Sequence, residues 1–437
     1  MSNIYRQLVL AIDFSLDELD VGLRNGQGEA LWPHRAYANN ASGCQALRRD
    51  LRDCLAEGDE SRLTVVGEST GAYWWHAYQQ LSQDSALADY EPTLLLLNAK
   101  HVKHFRKALP ERDKSDIDDP ELIDRYYRAN PQPHPYQPQP RYACLRALTR
   151  AYSRLIHTLA AQKAACSATI YLLASEYQRA CPFGGLFGVT AQKLLDAYPD
   201  IASLVDVPFE TLVDHLQQLS GNKLPDPHDN AIKVQAAAEE SYPLPADLRQ
   251  TLHTIRQLSL DHIRFLERQQ KSYQQLIEQE LARLPEAQPA LAEHGLGPVL
   301  VAGCLAEIGD TGRFTTGTKF DRKRKRHRPR RYRDGQAAVA KMAGLWWPKN
   351  QSGRWQGADR HLAQERNPYL RFWLIQAAYT LQRHRRDYAS YYWRKYHTTD
   401  RNPHQRALIL TGRKATRLIF ALLHKGQAAC LKEGDGT

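Results

Sequence analysis

The first 130 residues alternate between short apolar runs and a stretch of helical periodicity. QLVLAIDFS is a β-rich apolar run, ELDVGLR alternates apolar and polar positions, and Asn25–Gly26 after it is a strong hairpin-turn signal. RLTVVGES and Thr93–Asn98 are short continuous apolar runs that suit buried strands, and Tyr73–Leu81 between them suits a helix. The order predicts an α/β domain over residues 1–130, in which a hairpin precedes a β-α-β unit.

Proline then interrupts the pattern, at every second or third position of PQPHPYQPQP. Such a segment favours an extended chain, so residues 131–140 are predicted to form a linker. Residues 141–290 are predicted to be a helical connector. Within it, residues 247–284 contain neither glycine nor proline and place apolar residues mainly three and four positions apart. This pattern fits a coiled-coil-like arm that pairs protomers, and it also fits a long helix packed on its own domain.

Residues 291–437 are again predicted to be helical, with one exception. The segment RKRKRHRPRRYR holds nine Lys and Arg residues in twelve positions and has no apolar periodicity. We predict that this basic insertion, residues 319–335, is a loop or disordered segment that becomes ordered on nucleic acid. The fold class predicted for the whole chain is α/β plus all-α.

The composition, with 42% hydrophobic and 24% charged residues, is that of an ordinary globular protein. The longest apolar run falls far short of the roughly 20 residues that a membrane helix needs, and the N-terminus lacks the regions of a signal peptide. The seven cysteines are scattered without a CxxC pair, which argues against a disulfide framework and against a zinc module. The expectation is a cytoplasmic protein without a membrane partner.

The formal net charge of +11 is distributed unevenly along the chain. Residues 1–130 hold 15 Lys and Arg against 21 Asp and Glu (−6), and residues 131–293 hold 15 against 17 (−2). Residues 294–437 hold 29 against 10, a net charge of +19. This asymmetry indicates that the C-terminal third binds a polyanion such as nucleic acid. A basic surface without a ligand is the alternative.

Four acidic residues stand at positions that strand geometry makes useful. Asp13 lies at the end of the first predicted strand, Glu68 follows another, and Asp116 and Asp119 lie in RDKSDIDDPELID. Carboxylates brought together from strand ends and one helix can hold two Mg²⁺ ions about 4 Å apart, the arrangement used in phosphodiester chemistry. A strand-end aspartate also fits a turn, and Asp119 before Pro120 fits a helix N-cap. Local chemistry leaves these alternatives open.

The segments LAIDFSLDELDVGLRN, VVGES and KSDIDD together resemble the DEDD transposases of the IS110 insertion-sequence family, which also contains site-specific DNA invertases. The likeness continues in LRALTRAYSRL, in GLGPVLVAGCLAEIGDTGRF and in AGLWWPKNQSGRW. It implies a RuvC-like (RNase H-like) N-terminal domain, a helical connector and a helical C-terminal transposase domain. The sequence departs from the family pattern at Pro120, in the segment QERNPYL and in the basic insertion.

The resemblance also gives single residues their roles. It implies that Asp13, Glu68, Asp116 and Asp119 are catalytic and bind Mg²⁺, and that Ser352 is the nucleophile. A serine hydroxyl is a weak nucleophile that needs a nearby metal ion or base, and its attack on DNA leaves a phosphoserine linkage. The other acidic residues of the RDKSDIDDPELID segment are predicted to be solvated: Asp113, Asp118, Glu121 and Asp124.

Members of the family act on donor and target DNA with a structured bridge RNA, so both nucleic acids and a dimer or tetramer of the chain are implied. Arg, Lys and aromatic residues interleave at 366–386 and 391–396, which suits unpaired nucleic acid, although the first segment also fits a helix core. The alternatives are an invertase of the same family, a RuvC-like junction nuclease and a binding protein without catalysis. The predicted nucleic-acid contacts are Arg322, Lys323, Arg324, Lys325, Arg326, Arg328, Arg330, Arg331, Arg354 and Arg371.

Overall fold

The structure, a computed structural model, describes residues 7–57, 62–69, 71–109, 118–130, 140–321, 324–348, 351–352, 355–356, 362–364, 366–398 and 400–434. The chain divides into two compact units, Met1–Pro138 and Gln139–Thr437. The first unit is built on a mixed sheet and the second is mostly helical, so the predicted fold class is confirmed. The further division of the second unit at residue 290 stays a prediction.

The described part of the first unit contains β1 (Gln7–Phe14), β2 (Glu18–Arg24), β3 (Ala30–Ala38), β4 (Arg62–Glu68) and β5 (Thr93–Leu97), with α1 (Ala41–Glu57), α2 (Trp74–Ser82), α3 (Ala99–Ala108) and α4 (Asp119–Ala129). The sheet has the order β3-β2-β1-β4-β5. Strands β1, β2 and β3 pair antiparallel in sequence, whereas β1, β4 and β5 are parallel neighbours. This is the RNase H-like arrangement, with the predicted hairpin and β-α-β unit in place.

Each face of this sheet is covered by its own helices. The even-numbered residues of β1, from Leu8 to Phe14, pack with α1 and α2. Val9 and Ala11 point to the opposite face and pack with α3 and α4. Alternation along a strand therefore assigns every residue of β1 and β4 to one of two helical layers.

Strand β3 is the element of this sheet that the sequence pattern does not signal. It contains Pro33, and Trp32 is its buried residue while most of the others are exposed. It lies at the edge of the sheet, where a proline costs no ladder hydrogen bond. Pairing with β2 therefore makes this segment a strand, although its composition does not favour one.

The second unit contains α5 (Ala143–Leu173), α6 (Tyr177–Ala180), α7 (Val189–Ala197), α8 (Phe209–Ser220), α9 (Pro227–Glu240), α10 (Ala246–Ala282), α11 (Gln288–Leu291), α12 (Pro298–Ile308), α13 (Gly312–Thr315), α14 (Tyr332–Met342), α15 (Pro368–His384), α16 (Arg386–Tyr396) and α17 (Pro403–Gly434). It also has two short hairpins, β6 (Thr318–Asp321) with β7 (Arg326–Pro329) and β8 (Gln351–Ser352) with β9 (Trp355–Gln356). Among the described helices, none is both long and apolar enough to cross a membrane.

Helix α10 runs antiparallel to α5 and packs along it. Lys163 Nζ lies 2.7 Å from Glu267 Oε1, and Gln274 Nε2 donates to Tyr152 OH at 3.1 Å. Leu260 of α10 is fully buried in a core shared with α7, α8 and α9. The long helix is thus packed on its own unit, as one of the two interpretations predicted. The pairing of protomers through it stays a prediction.

The other core of this unit surrounds the indole ring of Trp373 on α15. Tyr152 of α5 stacks on this ring with centroids 6.1 Å apart. Gly303 of α12 faces the same ring, and a methyl group there would overlap it. The apolar face predicted for α15 is confirmed, because its members are buried: Leu370, Trp373, Leu374, Ala377 and Leu381.

The basic insertion is folded in its described part, so the prediction of a loop or disordered segment is wrong there. Strands β6 and β7 form a two-stranded antiparallel hairpin, and α14 follows. Lys319 Nζ and Arg328 Nη1 lie 2.8 Å and 2.7 Å from the carboxylate oxygens of Asp334 on α14. Asp321 adds a further contact to Arg328 at 3.9 Å. Repulsion along the charge run predicted disorder, whereas these two aspartates neutralise part of that charge.

Candidate metal centre and nucleic-acid interface

Asp13 and Glu68 lie at the carboxyl ends of the two central strands. β1 pairs in parallel with β4 as far as Ile12 opposite Gly67, so Asp13 and Glu68 are the next residues of each strand. Both point to the face covered by α3 and α4, since Val66 and the odd-numbered residues of β1 do. Both are partly exposed. The carboxyl end of parallel strands is where open α/β sheets place ligands.

Helix α4 brings its first residue to the same end of the sheet. Arg128 near its C-terminus donates to the carbonyl oxygen atoms of Asn25 and Gly26, in the turn beyond the amino end of β1. Pro120 near its N-terminus packs over Gly22, which pairs with Ala11. The helix therefore runs opposite to β1, and its N-terminus lies towards the end of the strand that carries Asp13.

Asp119 occupies the first position of α4 and does not cap it. Asp118 is the N-cap residue, and Pro120 follows in the first turn, so the prediction that Asp119 is the N-cap is wrong. The Asp119 carboxylate instead forms an ion pair with Arg106 of α3. The guanidinium group neutralises this carboxylate as a bound metal ion would. Metal binding at Asp119 therefore requires Arg106 to move or the second carboxylate oxygen to coordinate.

The acidic residues that were predicted to be solvated differ in how far they are buried. Asp118 is exposed, as predicted. For Asp124 the prediction is wrong: it is buried, and its two oxygen atoms accept from Arg128 Nε at 2.9 Å and 2.8 Å. Glu121 is half-buried and lies 2.7 Å from Arg125. Arg128 also donates to the turn after β2. The ion pair between Asp124 and Arg128 therefore holds α4 against the sheet.

Of the predicted catalytic residues, Asp116 is not described by the structure, and only the backbone of Ser352 is. Asp116 lies outside the described residues, as does Asp113. The backbone of Ser352 lies in β8, where it pairs with Trp355 of β9. In the part of the chain that the structure describes, no three His, Cys, Asp or Glu side chains are arranged to hold a metal ion. The structure thus brings Asp13, Glu68 and Asp119 to one end and one face of the sheet, but not into a metal-binding group.

The first part of the chain is similar to a known protein family. Residues 10–172 match the family model of IS110 DEDD transposases, which is described as Transposase. Over these residues the chain is similar to the IS110 transposases. The match spans the α/β unit from β1 onward and reaches nearly to the end of α5. A search of curated proteins finds no match.

The cations of the basic hairpin fall into two groups, those paired with Asp334 and those at the exposed tip. Lys319 and Arg328 are held by Asp334, and hydrogen bonds first from Arg328 and then from Lys319 lower the pKa of that carboxyl. Arg324, Lys325 and Arg326 form the tip of the hairpin, are exposed, and have no ion-pair partner among the described residues. The tip cations are free to bind phosphate, whereas Arg328 holds the hairpin against α14.

The other predicted nucleic-acid contacts differ in accessibility. Arg330 Nε donates to Thr318 O at 3.4 Å, and Arg331 is exposed at the start of α14. Arg371 is half-buried and its Nη2 donates to Gly344 O at 3.1 Å. Burial, together with the charge of Arg366, lowers the pKa of Arg371. The remaining three, Arg322, Lys323 and Arg354, lie outside the described residues.

The segment QERNPYL, in which the sequence departs from the family pattern, has a structural role in this chain. Asn367 caps α15 by accepting from Leu370 N at 3.0 Å, and its Nδ2 donates to Glu307 Oε2 at 2.7 Å. Glu307 is buried and also accepts from Arg150 Nε at 2.6 Å. One carboxylate thereby connects α5, α12 and α15.

Sequence reasoning missed two arginines that pair with acidic residues of α4, Arg106 at its N-terminus and Arg128 near its C-terminus. Arg106 carries no local signal, because its partner Asp119 lies 13 positions away on another helix. Arg128 does carry one, since it follows Asp124 by four residues, the spacing of a helical ion pair. That spacing predicts the pair but not its burial, which depends on the sheet beneath α4.

Proposed function

We propose that this protein is a DNA transposase that cleaves and rejoins DNA. Its metal centre is formed by Asp13, Glu68, Asp116 and Asp119, and Ser352 is the nucleophile. The observation that supports the proposal is the convergence of Asp13, Glu68 and the N-terminus of α4 at one end of an RNase H-like sheet. The family match over this unit fits the same chemistry. Three of the four proposed ligands are in the described part of the chain.

The donor set fits magnesium. Carboxylate oxygen atoms are hard ligands, which Mg²⁺ prefers over nitrogen and sulfur ligands. Two bound Mg²⁺ ions would stabilise negative charge on the scissile phosphate and lower the pKa of the attacking hydroxyl. Arg106 pairs with Asp119 at the N-terminus of α4 and so orients this carboxylate.

Ser352 supplies the attacking oxygen in this proposal. Its Oγ bonds to phosphorus as the bond from phosphorus to the leaving nucleotide oxygen breaks, and that oxygen takes up a proton. The DNA stays attached to the protein as a phosphoserine ester, which retains a reactive phosphodiester for rejoining. The carboxylates and Ser352 belong to different units of the chain, so different protomers of a dimer or tetramer can supply them.

The proposed partners are donor DNA, target DNA and a bridge RNA. When base pairing with an RNA selects the DNA sequence, the protein needs mainly to bind backbone phosphates. The exposed cations of the hairpin tip and the charge of +19 over residues 294–437 suit that task.

A recombination assay with the native flanking DNA tests the nucleophile. Ser352→Ala is expected to abolish both recombination and the covalent protein–DNA adduct that denaturing gels detect. The matched control is Ser272→Ala, at an exposed serine of α10, which is expected to act as wild type. An adduct that persists in Ser352→Ala would overturn the assignment, and continued cutting of branched DNA without an adduct would indicate a junction nuclease.

The same assay tests the metal centre. Asp13→Asn and Glu68→Gln are expected to lower recombination about 100-fold or more, because several kcal/mol of charge stabilisation is lost, while DNA binding is retained. Asp118→Asn, at the exposed N-cap of α4, is the control and should recombine as wild type. Recombination that survives these changes, or that survives removal of divalent ions by a chelator, would exclude the metal mechanism.

A further inference from the structure

One side of α16 carries a stripe of aromatic side chains at three- and four-residue spacing. Trp393, Tyr396 and His397 form it, and 51% of the Trp393 surface is exposed. The rings of Trp393 and His397 are stacked, with an interplanar angle of 25° and centroids 6.0 Å apart. Tyr396 contacts Trp393 edge-on at 5.3 Å. The large flat indole therefore faces solvent within an ordered cluster of rings.

The exposure of Trp393 is not a consequence of loose packing of α16. The adjacent Tyr392 is buried, and its hydroxyl is 2.6 Å from His404 Nδ1. Tyr388, one turn earlier, is buried as well. The helix thus buries two tyrosines against α15 and α17 and presents its tryptophan outward.

Two cations of α16 lie beside a ring that is outside the aromatic stripe. Arg394 and Lys395 lie over the ring of Tyr391, at 5.4 Å and 5.8 Å from its centroid. Neither has an ion-pair partner in the described part of the chain, whereas the nearby Lys414 lies 3.2 Å from Asp387. Helix α16 therefore carries, beside its aromatic stripe, positive charge that no acidic residue of the described part of the chain neutralises.

We infer that α16 binds unpaired nucleotides, with a base stacked on Trp393 and phosphates of the same strand beside Arg394 and Lys395. Every base has a π-face that an exposed indole can stack on, and backbone phosphates complement the unpaired cations. A duplex hides its base faces, so the ligand is a single strand or a loop. The inference rests on the nucleic-acid binding in the proposed function but not on its cleavage chemistry.

Fluorescence anisotropy with a short labelled single-stranded oligonucleotide of mixed sequence tests the stacking. Trp393→Ala in the full chain is expected to weaken binding about 5-fold to 100-fold, the usual effect of losing one stacked base. Trp393→Phe should retain most of the affinity because it keeps a ring. Trp393→Leu should bind as weakly as Trp393→Ala, since it keeps apolar bulk without a ring. The matched control is Tyr171→Ala, because Tyr171 of α5 is also 51% exposed.

Salt dependence separates the phosphate contacts from the base contact. Arg394→Gln and Lys395→Gln should each reduce the slope of log affinity against log salt by about 0.7 for a single strand, whereas Trp393→Ala should leave the slope unchanged. Circular dichroism and thermal unfolding check that each variant is folded. If Trp393→Ala does not fold, the comparison of Trp393→Phe with Trp393→Leu still decides.

A comparison of three ligands identifies which kind of nucleic acid supplies the base that stacks on Trp393. Single-stranded RNA, single-stranded DNA and duplex DNA are compared, and a loss confined to one or both single strands supports the inference. An equal loss for duplex DNA overturns it, as does a Trp393→Ala variant that changes the oligomeric state but not the affinity. If Trp393→Ala does not weaken binding while recombination is intact, the stacking inference is wrong and the proposed function is not affected. Loss of recombination in Ser352→Ala, in turn, does not change the result of the stacking experiment.

Discussion

At the scale of single residues, the position of Glu68 depends on the glycine before it. Gly67 points to the face of the sheet covered by α1 and α2, where the ring of Phe14 lies directly against it. That ring in turn contacts Tyr78 of α2 edge-on, with centroids 6.1 Å apart. A side chain at position 67 would occupy the space of the Phe14 ring. The end of β4, and the carboxylate that follows, are therefore set by a contact on the opposite face.

Gly67→Ala is expected to lower the free energy of unfolding of the first unit by about 1–3 kcal/mol, because an added methyl group overfills this contact. It should also lower recombination, since the strand end that carries Glu68 shifts. Urea unfolding followed by circular dichroism measures the first effect. Adding Phe14→Leu should recover part of the loss through a coupling between the two positions. Gly185→Ala, where no atom lies near the added methyl group, should cost little, and an equal cost at both glycines would contradict the argument.

At the scale of the element, Asp334 is the carboxylate that attaches the basic hairpin to α14. Asp334 accepts from Lys319 and Arg328 and also from the backbone N of Arg331, at 2.8, 2.7 and 2.9 Å. Its pKa in the folded protein lies below that of an unfolded aspartate, about 3.9. A depressed carboxyl pKa stabilises the fold above the unfolded value, and this contribution is lost as the pH falls below it. The hairpin should therefore stay attached at neutral pH and detach in acid.

Asp334→Asn is expected to expose the hairpin at neutral pH, because two cations lose their counter-charge. Trypsin should then cut within residues 319–333 several times faster than in wild type. Amide hydrogen exchange of the wild-type hairpin, corrected for intrinsic rates, should rise as the pH falls below about 4. The control is Asp229→Asn, which breaks an exposed pair with Lys233 and should leave cleavage unchanged. Equal cleavage of Asp334→Asn and wild type would show that other contacts hold the hairpin.

At the scale of the whole molecule, charge and fold divide at the same place. Residues 1–138 carry 15 Lys and Arg against 21 Asp and Glu, so residues 139–437 carry the remaining 44 against 27. The first unit is thus acidic, at −6, and the second basic, at +17. Each unit has its own buried core. Affinity for nucleic acid should therefore belong to the second unit, and the carboxylates to the first.

Separate expression of residues 1–138 and 139–437 tests this division. Each fragment is expected to keep the circular dichroism of its unit, and the second should bind DNA with a steep salt dependence while the first does not bind. Mixing the two fragments, with wild-type chain as the control, shows whether recombination needs a covalent link. Salt-sensitive binding by residues 1–138 would contradict the assignment of the polyanion to the basic unit.

Sequence alone determined the type and order of the strongly patterned elements. β1, β4 and β5 follow from short apolar runs, β2 from alternating apolar and polar positions, and α10 from a long stretch without glycine or proline, because these signals are local. The family resemblance drew on the same segments, and the match over residues 10–172 supports it. Asp13 and Glu68 could be singled out because a strand end is visible in sequence.

Tertiary structure decided what depends on distant partners. Strand β3 exists because β2 offers its edge, and the basic hairpin folds because Asp334 neutralises part of its charge. Asp119 pairs with Arg106 instead of capping α4, and Asp124 is buried with Arg128 instead of solvated. In each case the local pattern does not determine the structure, and a contact from elsewhere in the fold does. Such contacts are set by three-dimensional proximity, which hydrophobic periodicity and charge count do not encode.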